Sequence, residues 1–160
     1  MEWTTERRYR RYEDWSNDEI KQIKEKMAQS PWHTRYHVEP KMGLLNDPNG
    51  FSYFDGKWML FYQNFPFGAA HGLKSWVQLE SDDLVHFAET NVKVLPDTPL
   101  DSHGAYSGSA MQFGDQLFLF YTGNVRDENW IRHPYQIGAL MDKDGKITKI
   151  DKILIDQPAD

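Results

Sequence analysis

The sequence predicts an all-β fold behind a short N-terminal helix, and three observations carry that prediction. After Pro40, short runs of aromatic and β-branched residues are punctuated by Gly, Asp and Asn. Three of these runs turn back on themselves at residue pairs suited to tight turns: Asp55-Gly56, Gly114-Asp115 and Asp144-Gly145. The first two hairpins so formed repeat one another, Phe54, Leu60, Phe61 and Tyr62 returning as Phe113, Leu119, Phe120 and Tyr121 at an offset of 59 residues.

The helix comes first. Ser16 can cap it and Glu19 completes a capping box, while Ile20, Ile23 and Met27 form an apolar stripe that ends before Ser30-Pro31. The first hairpin runs from Phe51 to Phe54 and back from Lys57 to Gln63, because Asp-Gly tolerates the positive φ angles of a type I′ turn. Alternation along the return strand sets Trp58, Leu60 and Tyr62 on one face and Met59, Phe61 and Gln63 on the other. The second hairpin spans Ser107–Phe113 and Gln116–Tyr121, and the third runs from Gln136–Met141 to Ile147 and Ile150.

A period near 60 residues, each repeat a set of aromatic hairpins, suggests propeller blades. Equivalent positions of successive blades converge on the axis, and at an offset of 59 Asp47 is equivalent to Tyr106. Propellers close with about four to eight blades, and residues 41–160 supply only about two. The rest is therefore expected from a longer chain or from self-assembly.

At 160 residues, 39% hydrophobic and 26% charged, the chain has the composition of a soluble globular domain. A net charge of -6 argues against nucleic acid, whose partners carry basic residues in excess. Cysteine is absent, which excludes disulfides, zinc thiolates and cysteine nucleophiles. Arg7, Arg8, Arg10 and Arg11 are not followed by an apolar run, and no stretch approaches the roughly 18 apolar residues of a membrane span, so a cytoplasmic protein is expected. The aromatic content, 14%, is high, and such rings often line sites that hold sugars or bases.

Asn46-Asp47-Pro48-Asn49-Gly50 taken alone suits a β-turn. Its company changes the reading: Gly43-Leu44-Leu45 before it, then Phe61-Tyr62-Gln63, His71-Gly72-Leu73-Lys74-Ser75-Trp76, Ser81-Asp82-Asp83-Leu84-Val85-His86-Phe87, Tyr106-Ser107-Gly108-Ser109-Ala110 and Phe120-Tyr121-Thr122-Gly123-Asn124. In this order and spacing the blocks resemble glycoside hydrolase family 32, the invertases and fructan hydrolases, over about residues 32–125. The Gly-Leu-Leu-Asn-Asp and His-Gly-Leu-Lys segments resemble its bacterial sucrose-6-phosphate hydrolases most. The resemblance implies a five-bladed β-propeller, residues 32–160 forming its first part after a helical leader at 1–31, with retaining chemistry on a β-fructofuranoside. Asp47 matches the family nucleophile, with Asn46 and backbone donors of the turn expected to hold its carboxylate. Leu44, Leu45 and Asn46 beside it, Gln63, Trp76 at a pocket rim, and Tyr106-Ser107 match substrate-binding positions.

Departures from the pattern are equally informative. Leu44-Leu45 stands where many members have Trp-Met, which favours a phosphorylated substrate, and His71 stands where many invertases have Trp. Lys74, Arg126, Arg132 and His133 are candidates to meet such a phosphate, although each also suits a solvated loop. The family's Arg-Asp-Pro motif and its acid/base glutamate followed by Cys do not occur; Arg126-Asp127 precedes Glu128 and comes too early. His33 and His37 lie on an extended segment without an evident third ligand, and the Asp142–Gly145 turn lacks the closing Glu of a calcium loop, so no metal or cofactor is implied. The expected activity is hydrolysis of sucrose 6-phosphate to fructose and glucose 6-phosphate, with the 160 residues alone inactive for want of a proton donor. Cleavage of unphosphorylated sucrose or fructan, and a non-catalytic sugar-binding fragment, are the alternatives.

Overall fold

The computed structural model describes residues 2–158. Among them the chain forms two α-helices, α1 (Thr5–Arg8) and α2 (Asn17–Ala28), with a 3-10 turn at Tyr12–Asp14 between them, and eight strands: β1 (Leu44–Phe54), β2 (Lys57–Phe65), β3 (Ser75–Ser81), β4 (Ala88–Val94), β5 (Ala105–Phe113), β6 (Gln116–Arg126), β7 (Arg132–Met141) and β8 (Ile147–Lys149). The strands make two antiparallel meanders, β1-β2-β3-β4 and β5-β6-β7-β8, each with the form of a propeller blade. The three expected hairpins are present as β1-β2, β5-β6 and β7-β8. At the first turn Asp55 and Gly56 both take positive φ, 49° and 79°. Strands β3 and β4 add to the sequence reading.

The blades meet on apolar faces. Met59, Phe61 and Trp76 of the first pack with Leu117, Leu119, Tyr121 and Ile137 of the second. Leu60 and Tyr62 point to the opposite face and join Val77 and Leu79 in a separate cluster, as the alternation along β2 requires. A buried carboxylate fastens the link to the second blade. Asp101, on the link between blades, is inaccessible to solvent; it accepts from Thr98, from the Tyr121 hydroxyl (2.9 Å) and from the Lys149 ammonium of β8.

The inner strands begin earlier than the turn chemistry of Asn46–Gly50 suggests. Asn46-Asp47 and Gly50-Phe51 bulge out of the ladder rather than end the strand: Pro48 and Asn49 between them still pair with Tyr62 and Phe61, and β1 carries two register shifts, between Leu45 and Pro48 and between Asn49 and Ser52. Strand β5 has one, between Ala105 and Gly108. The extra irregularity in β1 slips the blade equivalence by one residue. Asn46-Asp47 opposes Gln63 in the first blade as Tyr106-Ser107 opposes Thr122 in the second, so the equivalent of Asp47 is Ser107, not Tyr106.

The leader is bound to the first blade. Helix α2 carries the expected capping box between Ser16 and Glu19. Its Ile20 and Ile23 pack beside Trp15, which stacks on Phe67 with centroids 4.3 Å apart. Ahead of it, the Leu73 amide donates to Arg8 O (2.7 Å) and the Tyr12 hydroxyl donates to Leu73 O (2.9 Å).

Candidate active site

Asp47 is set by the first bulge of β1, with its side chain exposed where β1 runs beside β5. The Ser107 hydroxyl donates to its Oδ2 at 2.7 Å. Gln63, 1% exposed beneath the pair, donates from Nε2 to the same oxygen (3.3 Å) and to Ser107 Oγ (2.5 Å). Both side-chain donors reach Oδ2, so among the described residues Oδ1 has no side-chain donor. The Ser107 hydrogen bond holds the Asp47 carboxyl below the usual range; partial burial opposes this, while the residue's own amide and the charges of Lys74 and His71 assist.

The backbone under Asp47 is also fixed. Asn49 donates from Nδ2 to Asp47 O (3.0 Å) and accepts the Gly108 amide at Oδ1 (3.2 Å), which pins one blade's bulge to the next. Asn64 does the same for the entry to β1, donating to Met42 O and Leu44 O at 3.0 Å. Neither asparagine stood out in the sequence. The signal for Asn49 was present, since a carboxamide two residues past a bulged Asp can close onto its carbonyl, but the same residue suits a turn.

Two expectations are corrected. Asn46 does not hold the carboxylate: its Oδ1 is buried without a partner, and the side-chain donors come from β2 and the second blade, while of the turn's backbone donors the Asp47 amide contributes. Trp76 is not at a rim. It is fully buried between the blades, beside Phe61 and Tyr121, and its indole N–H donates to Tyr106 O (2.9 Å), because a central strand of the blade turns this face into the seam. Leu44 is half-buried at the start of β1, and Leu45 packs on the Tyr62 cluster. Of the phosphate candidates, Lys74 and Arg132 approach the Tyr106 ring, to 5.2 and 5.0 Å, whereas His133 pairs with Asp127 (3.0 Å). Arg126 lies against Trp130 and donates to its carbonyl. His33 has both ring nitrogens engaged, by Glu39 and Met27 O.

The profile of the Glycosyl hydrolases family 32 N-terminal domain matches residues 37–160. The chain belongs to glycosyl hydrolase family 32. It is 72% identical over 153 residues to a sucrose-6-phosphate hydrolase of Streptococcus mutans, covering 96% of this chain and 32% of that protein. The structure of sucrose-6-phosphate hydrolase from Lactobacillus gasseri superposes with a TM-score of 0.94 at 50% identity, covering 99% of this chain and 32% of that one. A mutant Bombyx mori GH32 β-fructofuranosidase in complex with sucrose superposes with a TM-score of 0.68 at 28% identity, covering 86% and 30%. The chain thus spans about a third of the length of the relatives it matches. Its two sheets are two blades of the family 32 β-propeller, and the all-β expectation with a leading helix is met. Among the described residues no helix is long and apolar enough to cross a membrane.

Proposed function

We propose that this chain supplies the nucleophile of a retaining β-fructofuranosidase that acts on sucrose 6-phosphate in the cytoplasm. The observation that carries the reading is the Asp47 carboxylate, held through one oxygen by Ser107 and Gln63, with the Ser107 bond favouring its ionised form. Oδ1 of such a group is the oxygen left to attack the anomeric carbon of the fructosyl unit, while the bond to the glucosyl oxygen breaks. That oxygen needs a proton, so glucose 6-phosphate departs only when a carboxylic acid from outside these 160 residues delivers it; the same group then activates the water that releases fructose. Ser107 and Gln63 keep Asp47 oriented and lend their polar groups to the fructosyl hydroxyls.

In this reading residues 1–31 are a leader and residues 32–160 the first part of the catalytic propeller, completed by further chain or by other copies. The identity to a sucrose-6-phosphate hydrolase favours the phosphorylated substrate over free sucrose. The test is Asp47→Asn in a full-length hydrolase carrying this sequence. Turnover should fall at least a thousandfold with an unchanged melting temperature, and brief reaction of the wild type followed by acid quench should leave a hexosyl adduct on the peptide containing Asp47. Normal turnover in the variant would refute the assignment.

A further inference from the structure

Lys74 immediately precedes β3 and is 7% exposed, yet among the described residues no carboxylate lies within ion-pairing distance of it. Its stem is enclosed while the ammonium makes no hydrogen bond among those residues, and a partly desolvated ammonium with no paired counter-charge is favoured by an anion that completes its surroundings. Its position is closely determined. On one side the leader holds Leu73 through both backbone groups, at Arg8 O and the Tyr12 hydroxyl; on the other, Ala105 N donates to Lys74 O (2.9 Å). The side chain is thereby directed to the Tyr106 ring, Nζ 5.2 Å from its centroid. Arg132 reaches the same ring, 5.0 Å from its centroid, oriented by a 2.7 Å hydrogen bond from Nε to Asn124 Oδ1. Tyr106 directly precedes Ser107, the donor to Asp47.

Two cations therefore converge on one aromatic ring, a residue away from the group that holds the nucleophile. They do not neutralise one another: burial lowers the Lys74 pKa and the charge of Arg132 lowers it further, with only Asp47 acting in the other direction. A phosphomonoester brings close to two negative charges and several acceptor oxygens, which suits both groups.

We infer that Lys74 and Arg132, carried against Tyr106, form the subsite for the phosphate of the sugar substrate, and that the N-terminal leader sets Lys74 in place. The inference rests on the nucleophile assignment of Asp47. It makes the leader a positioning element for substrate choice rather than packing alone.

The experiment compares kcat/KM for sucrose 6-phosphate and for sucrose in a full-length hydrolase carrying this sequence, as wild type, Lys74→Met, Lys74→Arg and Arg132→Gln. The ratio of the two values should fall about 10- to 100-fold in Lys74→Met and in Arg132→Gln. Lys74→Arg should recover part of the loss. A ratio within threefold of wild type in both charge-removing variants, or equal losses on both substrates, would overturn the inference. Arg132 is exposed, so its variant keeps the test decisive if Lys74→Met fails to fold. Retained turnover in Asp47→Asn is a different failure, since it removes the nucleophile assignment and leaves the ratio to be read by itself.

Discussion

Replacing Ser107 with alanine removes the shortest hydrogen bond to Asp47 and leaves the 3.3 Å bond from Gln63 in place. A hydrogen bond to a charged group contributes about 1.5–3 kcal/mol, and the exposure of this pair places the loss near the lower end, about 1–2 kcal/mol. If that stabilisation holds the carboxylate for attack, kcat/KM should fall about 5- to 30-fold. The pH dependence has a definite sign. Ser107 lowers the folded pKa of Asp47, so its contribution is present above the unfolded value and disappears as pH falls through the folded one. Without Ser107 the folded pKa rises toward the ordinary carboxyl range, and the acid limb of the kcat/KM profile should move to higher pH. The assay is a full pH–rate profile for Ser107→Ala and wild type in the full-length protein. An acid limb that stays in place, together with unchanged kcat/KM, would show that Ser107 does not govern the ionisation of the nucleophile.

Two further substitutions test the frame around the site. Asp101→Ala leaves the Tyr121 hydroxyl and the Lys149 ammonium without their buried acceptor and should cost about 3–5 kcal/mol in urea unfolding, with a loss under 1 kcal/mol refuting the view that this carboxylate fastens the link to the second blade. Trp76→Phe opens space in the seam and strands the Tyr106 carbonyl, so about 2 kcal/mol of stability should be lost. A raised KM at unchanged stability would instead return Trp76 to a sugar-contacting role.

The parts of the fold that could be read from residues alone were those where local chemistry and tertiary structure agree. Asp55-Gly56 is a turn in isolation and in the protein, and the alternation along Lys57–Gln63 survives because β2 pairs with β3 without a register shift. Strand β4 was not legible. Ala-Glu-Thr-Asn-Val-Lys-Val mixes polar and apolar residues at a sheet edge, and only its pairing with β3 makes it a strand. Asn46–Gly50 misled in the other direction, since residues that favour turns serve here to bulge a strand. Asp47 was found through its motif and Ser107 was named with it, but the blade equivalent of Asp47 was placed one position early, at Tyr106: a bulge in β1 leaves no mark in an offset taken from the hairpins. The phosphate candidates could not be separated in the sequence because what distinguishes Lys74 from His133 is the neighbour each meets, Tyr106 for one and Asp127 for the other.

Asp47 and Ser107 belong to different blades, joined by the link that holds Asp101. For recombination among relatives, this makes the 95–104 segment an unfavourable crossover point. A hybrid joined there would take its carboxylate from one parent and its hydroxyl donor from the other, and the angle between adjoining sheets would then decide whether the two meet. Joining parents in the 82–87 turn keeps donor and link from one source but divides the first blade's own ladder. Such hybrids would report how finely the seam between sheets is adjusted, with the acid limb of the rate profile as the gauge.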